Sequence, residues 1–91
     1  MITRLAKVCN PYGIHVRPSA VIAKAAREFA SDLEVTSAKG ETVEAKNLLA
    51  LISLGVTCGQ EVTLRANGPD EAEAVVRLAE LFQTRFDFER Q

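Results

Sequence analysis

The chain has 91 residues, of which 11 are lysine or arginine and 12 are aspartate or glutamate, so its formal net charge is -1. This length is typical of a single domain, residues 1–91, whose one modest core leaves no room for a large enclosed cofactor. The balanced charge lacks the positive excess that general nucleic-acid binding needs. No apolar run is long enough for a signal peptide or a membrane span, which favours a cytoplasmic protein.

The hydrophobic pattern predicts seven elements in the order β-α-β-β-α-β-α. Short strands that alternate with one-sided amphipathic helices indicate an α+β open-faced sandwich, in which three helices cover one face of a four-stranded antiparallel sheet. The second and third strands are joined by a link short enough for a hairpin. The predicted strands are residues 2–8, 33–37, 41–45 and 61–66, and the predicted helices are residues 18–30, 48–54 and a segment that begins near residue 70.

Residues with known preferences at helix ends support the helix predictions. Pro18 suits the first turn of a helix, where its missing N–H has no intrahelical partner. Asn47 is a favourable N-cap for the second helix, which Gly55 ends. Asp70 and Glu73 have the spacing of a capping box at the start of the third helix. The apolar stripe of that helix consists of Ala74, Val75, Leu78, Leu81 and Phe82.

His15, the only histidine, lies between Gly13 and the predicted first helix. No side chain just before this helix is an obvious cap, so the N–H groups near Val16 and Arg17 are candidates for binding an anion. The Arg17 guanidinium adds a donor fork that suits a phosphate. A helix N-terminus and a nearby cation favour a neutral imidazole, which is a nucleophile toward a phosphoryl group. On these residues alone, a surface histidine in a loop remains the alternative interpretation.

Three segments resemble the HPr family, the histidine-containing phosphocarriers of the bacterial phosphoenolpyruvate-dependent sugar phosphotransferase system. GIHVRPSA resembles its active-site signature, AKNLLALISLG its second-helix motif and GPDEAEAV the start of its last helix. The resemblance implies that His15 is phosphorylated on Nδ1, that Arg17 assists it and that Pro18 shapes the helix start. The position after the histidine is more commonly Thr, Ala or Ser in the family, whereas this chain has Val16, which keeps the backbone N–H.

A candidate docking surface begins beside this site. On the first helix, Val16, Ala20, Lys24 and Arg27 follow helical spacing on the side away from Ile22 and Ala26. The second helix is apolar nearly all round and cannot bury every side chain on one sheet face. Burial by neighbours or by self-association is the alternative. The family resemblance places Leu48, Leu49 and Ile52 at partner-facing positions, with Lys46 on a basic rim.

Asn47 stands where many family members carry a serine that a regulatory kinase phosphorylates. Asparagine has no hydroxyl group, so we expect no regulation by that route. Ser53 lies later in the predicted helix and does not match the motif.

Cys9 and Cys58 occur in no C-x-x-C pattern, and with one histidine they do not complete a usual zinc site, so we expect no metal. We interpret them as reduced thiols, with a disulfide as the alternative.

The resemblance implies a relay that takes a phosphoryl group from Enzyme I and hands it to sugar-specific acceptor domains. Such a protein is a phosphoryl carrier rather than a self-standing enzyme, and needs no cofactor. We expect a cytoplasmic monomer that binds no nucleic acid and does not insert into the membrane. The alternatives are a regulatory paralogue, which relays phosphate without sugar transport, and a small-molecule-binding or RNA-binding α+β module.

Overall fold

The computed structural model describes residues 1–9 and 16–84, which form one sheet and three helices. All strand pairs are antiparallel, and the spatial order is β1-β4-β2-β3. The element order and the open-faced sandwich are those that the sequence predicts. The strands are β1 (Ile2–Lys7), β2 (Asp32–Thr36), β3 (Thr42–Glu44) and β4 (Glu61–Asn67), and the helices are α1 (Val16–Arg27), α2 (Leu48–Leu54) and α3 (Glu71–Gln83).

One face of the sheet supplies half of the core because side chains alternate along each strand. The other face is polar apart from the exposed Leu5 of β1. It has an ion pair of 3.7 Å between Arg65 and Glu34 and a 2.7 Å hydrogen bond between the hydroxyls of Thr36 and Thr42. The buried cross-strand pairs on the core face are Ala6–Val62, Leu33–Ala66 and Val35–Leu64.

The helices close the core over this face. The whole predicted apolar stripe of α3 is buried, and α3 packs on β1, β4 and β2. Ile22 of α1 and Leu51 of α2 join the same core. Within the described residues, 1–9 and 16–84, no helix combines the length and apolar character needed to cross a membrane.

The first helix occupies a different range from the predicted residues 18–30. It begins at Val16 and ends at Arg27, so Pro18 lies inside the first turn. After Arg27 the chain tightens, since the N–H of Phe29 donates to the carbonyl of Ala26 at 3.1 Å. Phe29 still packs against the core. The helix ends early because the next backbone N–H groups, those of Ala30 and Ser31, bind a side chain of another element.

That side chain is Asp70, and it overturns the predicted capping box. Asp70 makes no side-chain hydrogen bond to its own helix. Its carboxylate instead accepts bonds of 2.9 Å from the N–H groups of Ala30 and Ser31, and a short one from the Ser31 hydroxyl. At the start of α3 it is Glu71, and not Glu73, that accepts from a preceding N–H, that of Gly68, at 3.1 Å. A contact across the fold has replaced the local cap.

These bonds lower the pKa of Asp70. The largest cause is the hydrogen bond from the Ser31 side chain, followed by the bond from the Ala30 N–H. The pKa of Glu71 is lowered as well, chiefly by the hydrogen bond from the Gly68 N–H. Both carboxylates accept hydrogen bonds that only the charged form accepts fully, so their charged forms stabilise the fold.

The observed strands differ from the predicted ranges by one or two residues. β3 is shorter than residues 41–45, because the chain turns at Glu44, whose carbonyl accepts from the N–H of Asn47 at 3.1 Å. β1 ends before Val8, where a bulge interrupts the ladder. There the N–H of Val8 donates to the carbonyl of Gln60 at 2.9 Å, and the N–H of Gly59 donates to the carbonyl of Val8 at 2.8 Å. Gly59 has φ +91°, which suits the bulge position that favours glycine.

Candidate functional site

The start of α1 is the first part of the candidate site. His15 belongs to residues 10–15, outside the described residues, so its role remains a sequence prediction. Val16, the first helical residue, is 59% exposed, and Arg17 is exposed too. The first turn of α1 has no acidic side chain. The positive end of the helix dipole is therefore not neutralised within this turn, an arrangement that suits an anion.

The predicted stripe of α1 lies on one exposed face. The residues behind it, including Ile22 and Ala26, are fully buried, so the helix separates a core side from a solvent side. The exposed stripe residues are Val16, Ala20, Lys24 and Arg27.

Asn47 caps α2 as the sequence predicts. Its backbone is extended, with φ -100° and ψ 105°, and its side-chain oxygen accepts a bond of 3.1 Å from the N–H of Ala50. At the other end, Gly55 adopts the left-handed conformation, with φ 63° and ψ 37°, and donates to the carbonyl of Ile52. Asn47 thus has a structural role at the start of α2.

The side chains of α2 divide between core and solvent, which confirms that one sheet face cannot bury them all. Leu51 and Leu54 are buried, and Leu48 and Ile52 are half-buried. Leu49 is 74% exposed, the largest exposed fraction among the described large apolar side chains. Such exposure leaves apolar surface in contact with water, a feature typical of a binding site when polar residues border it.

Two basic side chains join the end of α1 to the start of α2. Arg27 donates from Nε to the carbonyl of Lys46 at 3.1 Å, and the Lys46 ammonium donates to the carbonyl of Phe29 at 2.9 Å. We call these three residues the α1–α2 junction. Sequence reasoning assigned Arg27 to the exposed stripe of α1 and Lys46 to a basic rim. It missed this role, because the bonded residues lie 19 and 17 positions apart and no local pattern links them.

Of the two helices of the candidate site, α1 carries only positive charge and α2 carries none. α1 contains Arg17, Lys24 and Arg27 and no acidic residue, and α2 has no charged residue. The charged residues of α3 are mostly acidic: Glu71, Glu73 and Glu80, with Arg77 as the one base. Three of the eleven lysine and arginine residues are thus on α1, the helix that packs against the apolar α2.

Comparisons with known proteins agree with this arrangement. The chain matches the family model described as PTS HPr component phosphorylation site over residues 2–84. It is 34% identical over 89 residues to the phosphocarrier protein HPr of Treponema pallidum, covering 98% of this chain and 100% of that protein.

Two solved structures show the same fold. The first is HPr of Bacillus anthracis, with a TM-score of 0.86 and 29% identity, covering 90% of this chain and 96% of that one. The second is Crh, the catabolite repression protein of Bacillus subtilis, described as a dimer with a swapping domain. Its TM-score is 0.74 at 37% identity, and the match covers 94% of this chain and 98% of that one. Since the family model and the full-length relative both span nearly the whole chain, this protein belongs to the HPr family of phosphocarriers of the phosphotransferase system.

Proposed function

We propose that this HPr-family chain is a cytoplasmic relay that accepts a phosphoryl group from phosphorylated Enzyme I on His15 and passes it to sugar-specific acceptor domains. The observation that carries the proposal is the start of α1, where the sequence has GIHVRPSA. In this segment the only histidine directly precedes Val16, the exposed first residue of a helix whose first turn has no acidic side chain. In the sequence the histidine thus comes directly before a helix start that suits an anion.

The chemistry requires one nucleophile and a means of holding charge. Nδ1 of His15 attacks the phosphorus atom, and the bond from phosphorus to the donor atom breaks as the bond to nitrogen forms. The phosphoryl oxygens then carry negative charge next to α1. The N–H groups of Val16 and Arg17, together with the Arg17 guanidinium, stabilise that charge in our proposal. In transfer to an acceptor, a nucleophile of the acceptor attacks the phosphorus atom, and the bond from phosphorus to Nδ1 breaks.

Docking of both protein partners is assigned to one patch, the α1–α2 surface. Leu49 and Val16 supply exposed apolar contacts, and Lys24 supplies exposed positive charge. A partner with an apolar centre and an acidic rim is complementary to such a surface. Because Arg27 and Lys46 also hold the junction, part of the basic rim is fixed in place before any partner binds. The α1–α2 surface comprises Val16, Ala20, Lys24, Arg27, Lys46, Leu48, Leu49 and Ile52.

Phosphoryl acceptance is tested by incubating the protein with phosphoenolpyruvate and Enzyme I, followed by intact mass and treatment with acid. The wild type should gain one acid-labile phosphate. His15→Ala should gain none, with unchanged thermal unfolding, and Arg17→Ala should accept phosphate more slowly because the nucleophile remains. An acid-labile phosphate on His15→Ala would refute the assignment.

The α1–α2 surface is tested with two substitutions of the same kind on different helices. Leu49→Glu should raise the apparent KM for Enzyme I at least tenfold with little change in Tm, since an exposed apolar anchor contributes to binding rather than to folding. Val76→Glu, at a residue of α3 that is 41% exposed, should leave the KM unchanged. Equal effects of the two variants on KM would rule out a specific surface on α2.

We also propose that no serine kinase controls the start of α2. A regulatory kinase with ATP should leave no acid-stable phosphate on the wild type, while Asn47→Ser provides a hydroxyl at the same position. Phosphate there would add about -1.5 to -2 charges beside Leu48 and Leu49 and slow acceptance from Enzyme I. Acid-stable phosphate on Ser53 of the wild type, with transfer inhibited, would contradict this proposal.

The second candidate is a regulatory paralogue that relays phosphate without sugar transport. The similarity to Crh, at 37% identity, favours keeping it. Mixing the phosphorylated protein with sugar-specific acceptor domains separates the two candidates, because only a transport component passes its phosphate to them.

We propose that the protein is a monomer. The Crh structure is a dimer, so light scattering is needed to measure the oligomeric state of this chain. An RNA-binding module has less support, because β1 to β4 contain no aromatic residue on which a base could stack.

A further inference from the structure

The two cysteines, far apart in the chain, flank the same pair of backbone hydrogen bonds. Cys9 follows Val8, and Cys58 precedes Gly59, at the bulge between β1 and β4. The N–H of Val8 donates to the carbonyl of Gln60 at 2.9 Å, and the N–H of Gly59 donates to the carbonyl of Val8 at 2.8 Å. The second bond joins the peptide group between Cys58 and Gly59 to the peptide group between Val8 and Cys9, so the two cysteines adjoin its two ends. A backbone hydrogen bond of this length brings the flanking Cα atoms to the scale of the roughly 4.4–6.8 Å that a disulfide spans.

The backbone at both cysteines is held in place. Residues 57–60 form a turn in which the N–H of Gln60 donates to the carbonyl of Thr57 at 3.1 Å, and the Gln60 side chain accepts from the N–H of Thr57 at 2.8 Å. On the other side, the N–H of Cys9 donates to the carbonyl of Phe82 at 3.4 Å. Ordering that a cross-link would otherwise impose is thus already present in the fold.

The thiols themselves are accessible. Both cysteines are exposed and unbonded to each other. The Cys9 thiol donates one weak contact of 3.4 Å to the carbonyl of Lys7, which lies on the surface. A rotation about the Cα–Cβ bond of Cys9 releases this contact at little cost, because water replaces it.

We propose that Cys9 and Cys58 are a redox modification site, at which a small-molecule disulfide such as oxidised glutathione produces a reversible intramolecular disulfide. One cysteine thiolate attacks a sulfur of the reagent, whose S–S bond breaks and releases one thiol. The second cysteine thiolate then attacks the protein sulfur of the mixed disulfide and displaces the other thiol. Two protein thiols are oxidised, and the reagent, reduced to two thiols, takes up their two protons. The new bond ties residue 9, just before the segment with His15, to the turn that precedes β4.

The full chain is incubated with a series of ratios of oxidised to reduced glutathione, quenched with acid and analysed by intact mass and peptide mapping. The wild type should lose two hydrogen atoms and yield a linked Cys9–Cys58 peptide, without a persistent glutathione adduct. Dithiothreitol should restore the original mass. Cys9→Ser and Cys58→Ser should each retain one glutathione, because no second thiol resolves the mixed disulfide.

A double variant separates proximity from the mere presence of two thiols. C58S/S53C keeps two exposed cysteines but moves one to α2, and it should accumulate two glutathione adducts. Two adducts on the wild type, or a disulfide-linked dimer in place of the internal bond, would overturn the proposal. Neither result bears on phosphoryl transfer by His15, so the two proposals fail independently.

Discussion

Two sets of contacts hold the chain at the end of α1, and they differ in how far they are buried. At the α1–α2 junction, the long side chains of Arg27 and Lys46 reach backbone carbonyls at or near the surface. At the second attachment, which we call the α1–α3 junction, Ser31 and Gly68 are packed together and Asp70 binds Ser31. Ser31 is fully buried, whereas Arg27 is exposed and Lys46 only half-buried.

The difference shows how one fold separates its packing from its proposed docking surface. Exposed hydrogen bonds contribute little net free energy, since water competes for the same groups. A buried contact without spare space tolerates neither a new atom nor a lost partner. The α1–α2 junction therefore positions side chains beside Leu49 at small cost, whereas the α1–α3 junction holds the core together.

The largest expected effect comes from adding one carbon to the α1–α3 junction. In Gly68→Ala the new Cβ would lie 2.6 Å from the Cα of Ser31, a backbone atom that cannot rotate away. We expect a loss of about 3 kcal/mol, at the upper end of the range for overpacking, measured by urea unfolding. Gly40→Ala is the control, because its Cβ meets nothing within 4 Å and φ +93° alone costs about 1–2 kcal/mol. A loss no greater than the control's would show that Ser31 can move aside.

Acid should weaken the α1–α3 junction before it affects the α1–α2 junction. The pKa of Asp70 in the folded protein is below the ordinary value of 3.8. Its charged form therefore stabilises the fold above pH 3.8, and this contribution is lost as the pH falls through the lowered pKa. The Tm of the wild type should therefore decrease when the pH is lowered below about 4. Asp70→Asn should flatten this dependence, and Ser31→Ala should flatten it too by removing the main donor. The remaining slope should come partly from Glu71. An unchanged slope in Asp70→Asn would contradict the assignment.

A smaller effect is expected where α2 begins. Asn47→Ala removes the acceptor for the N–H of Ala50 and should lower the free energy of unfolding by about 1 kcal/mol. Asn47→Ser, with an equally good cap, should stay within about 0.5 kcal/mol of the wild type. Chemical denaturation of the three proteins side by side tests the comparison. If the alanine variant is as stable as the serine variant, the cap does not stabilise the fold.

The smallest effect is expected for the basic side chains of the α1–α2 junction, Arg27 and Lys46. Lys46→Met removes one bond to the carbonyl of Phe29 and should cost at most about 1 kcal/mol. Arg27→Met should cost no more, because Arg27 also makes one exposed hydrogen bond. Its acceptor is the backbone carbonyl of Lys46, which Lys46→Met leaves unchanged. The two losses should add within about 0.5 kcal/mol in a double-mutant cycle. Strong coupling would show that the two bonds form a single cooperative unit.

The sequence alone predicts features that depend on residues one or two helical turns apart. The spacing of Leu78 and Phe82 predicts the buried stripe of α3, and Asn47 and Gly55 mark both ends of α2 where the structure has them. Each of these depends on residues three or four positions apart, which any helix brings together. The same holds for the order of elements, and the assignment of His15 likewise depends on a contiguous motif.

Tertiary structure decided which partner each polar group took. Asp70 has the local spacing of a cap, yet it binds Ala30 and Ser31, which lie 40 and 39 residues away. Lys46 reaches Phe29 in the same way, and the bulge at Gly59 joins the backbone at Val8 to residues more than 50 positions away. A side chain offers the same donors and acceptors everywhere, so its partner is set by the groups that packing brings within about 3 Å, and packing is a property of the whole chain.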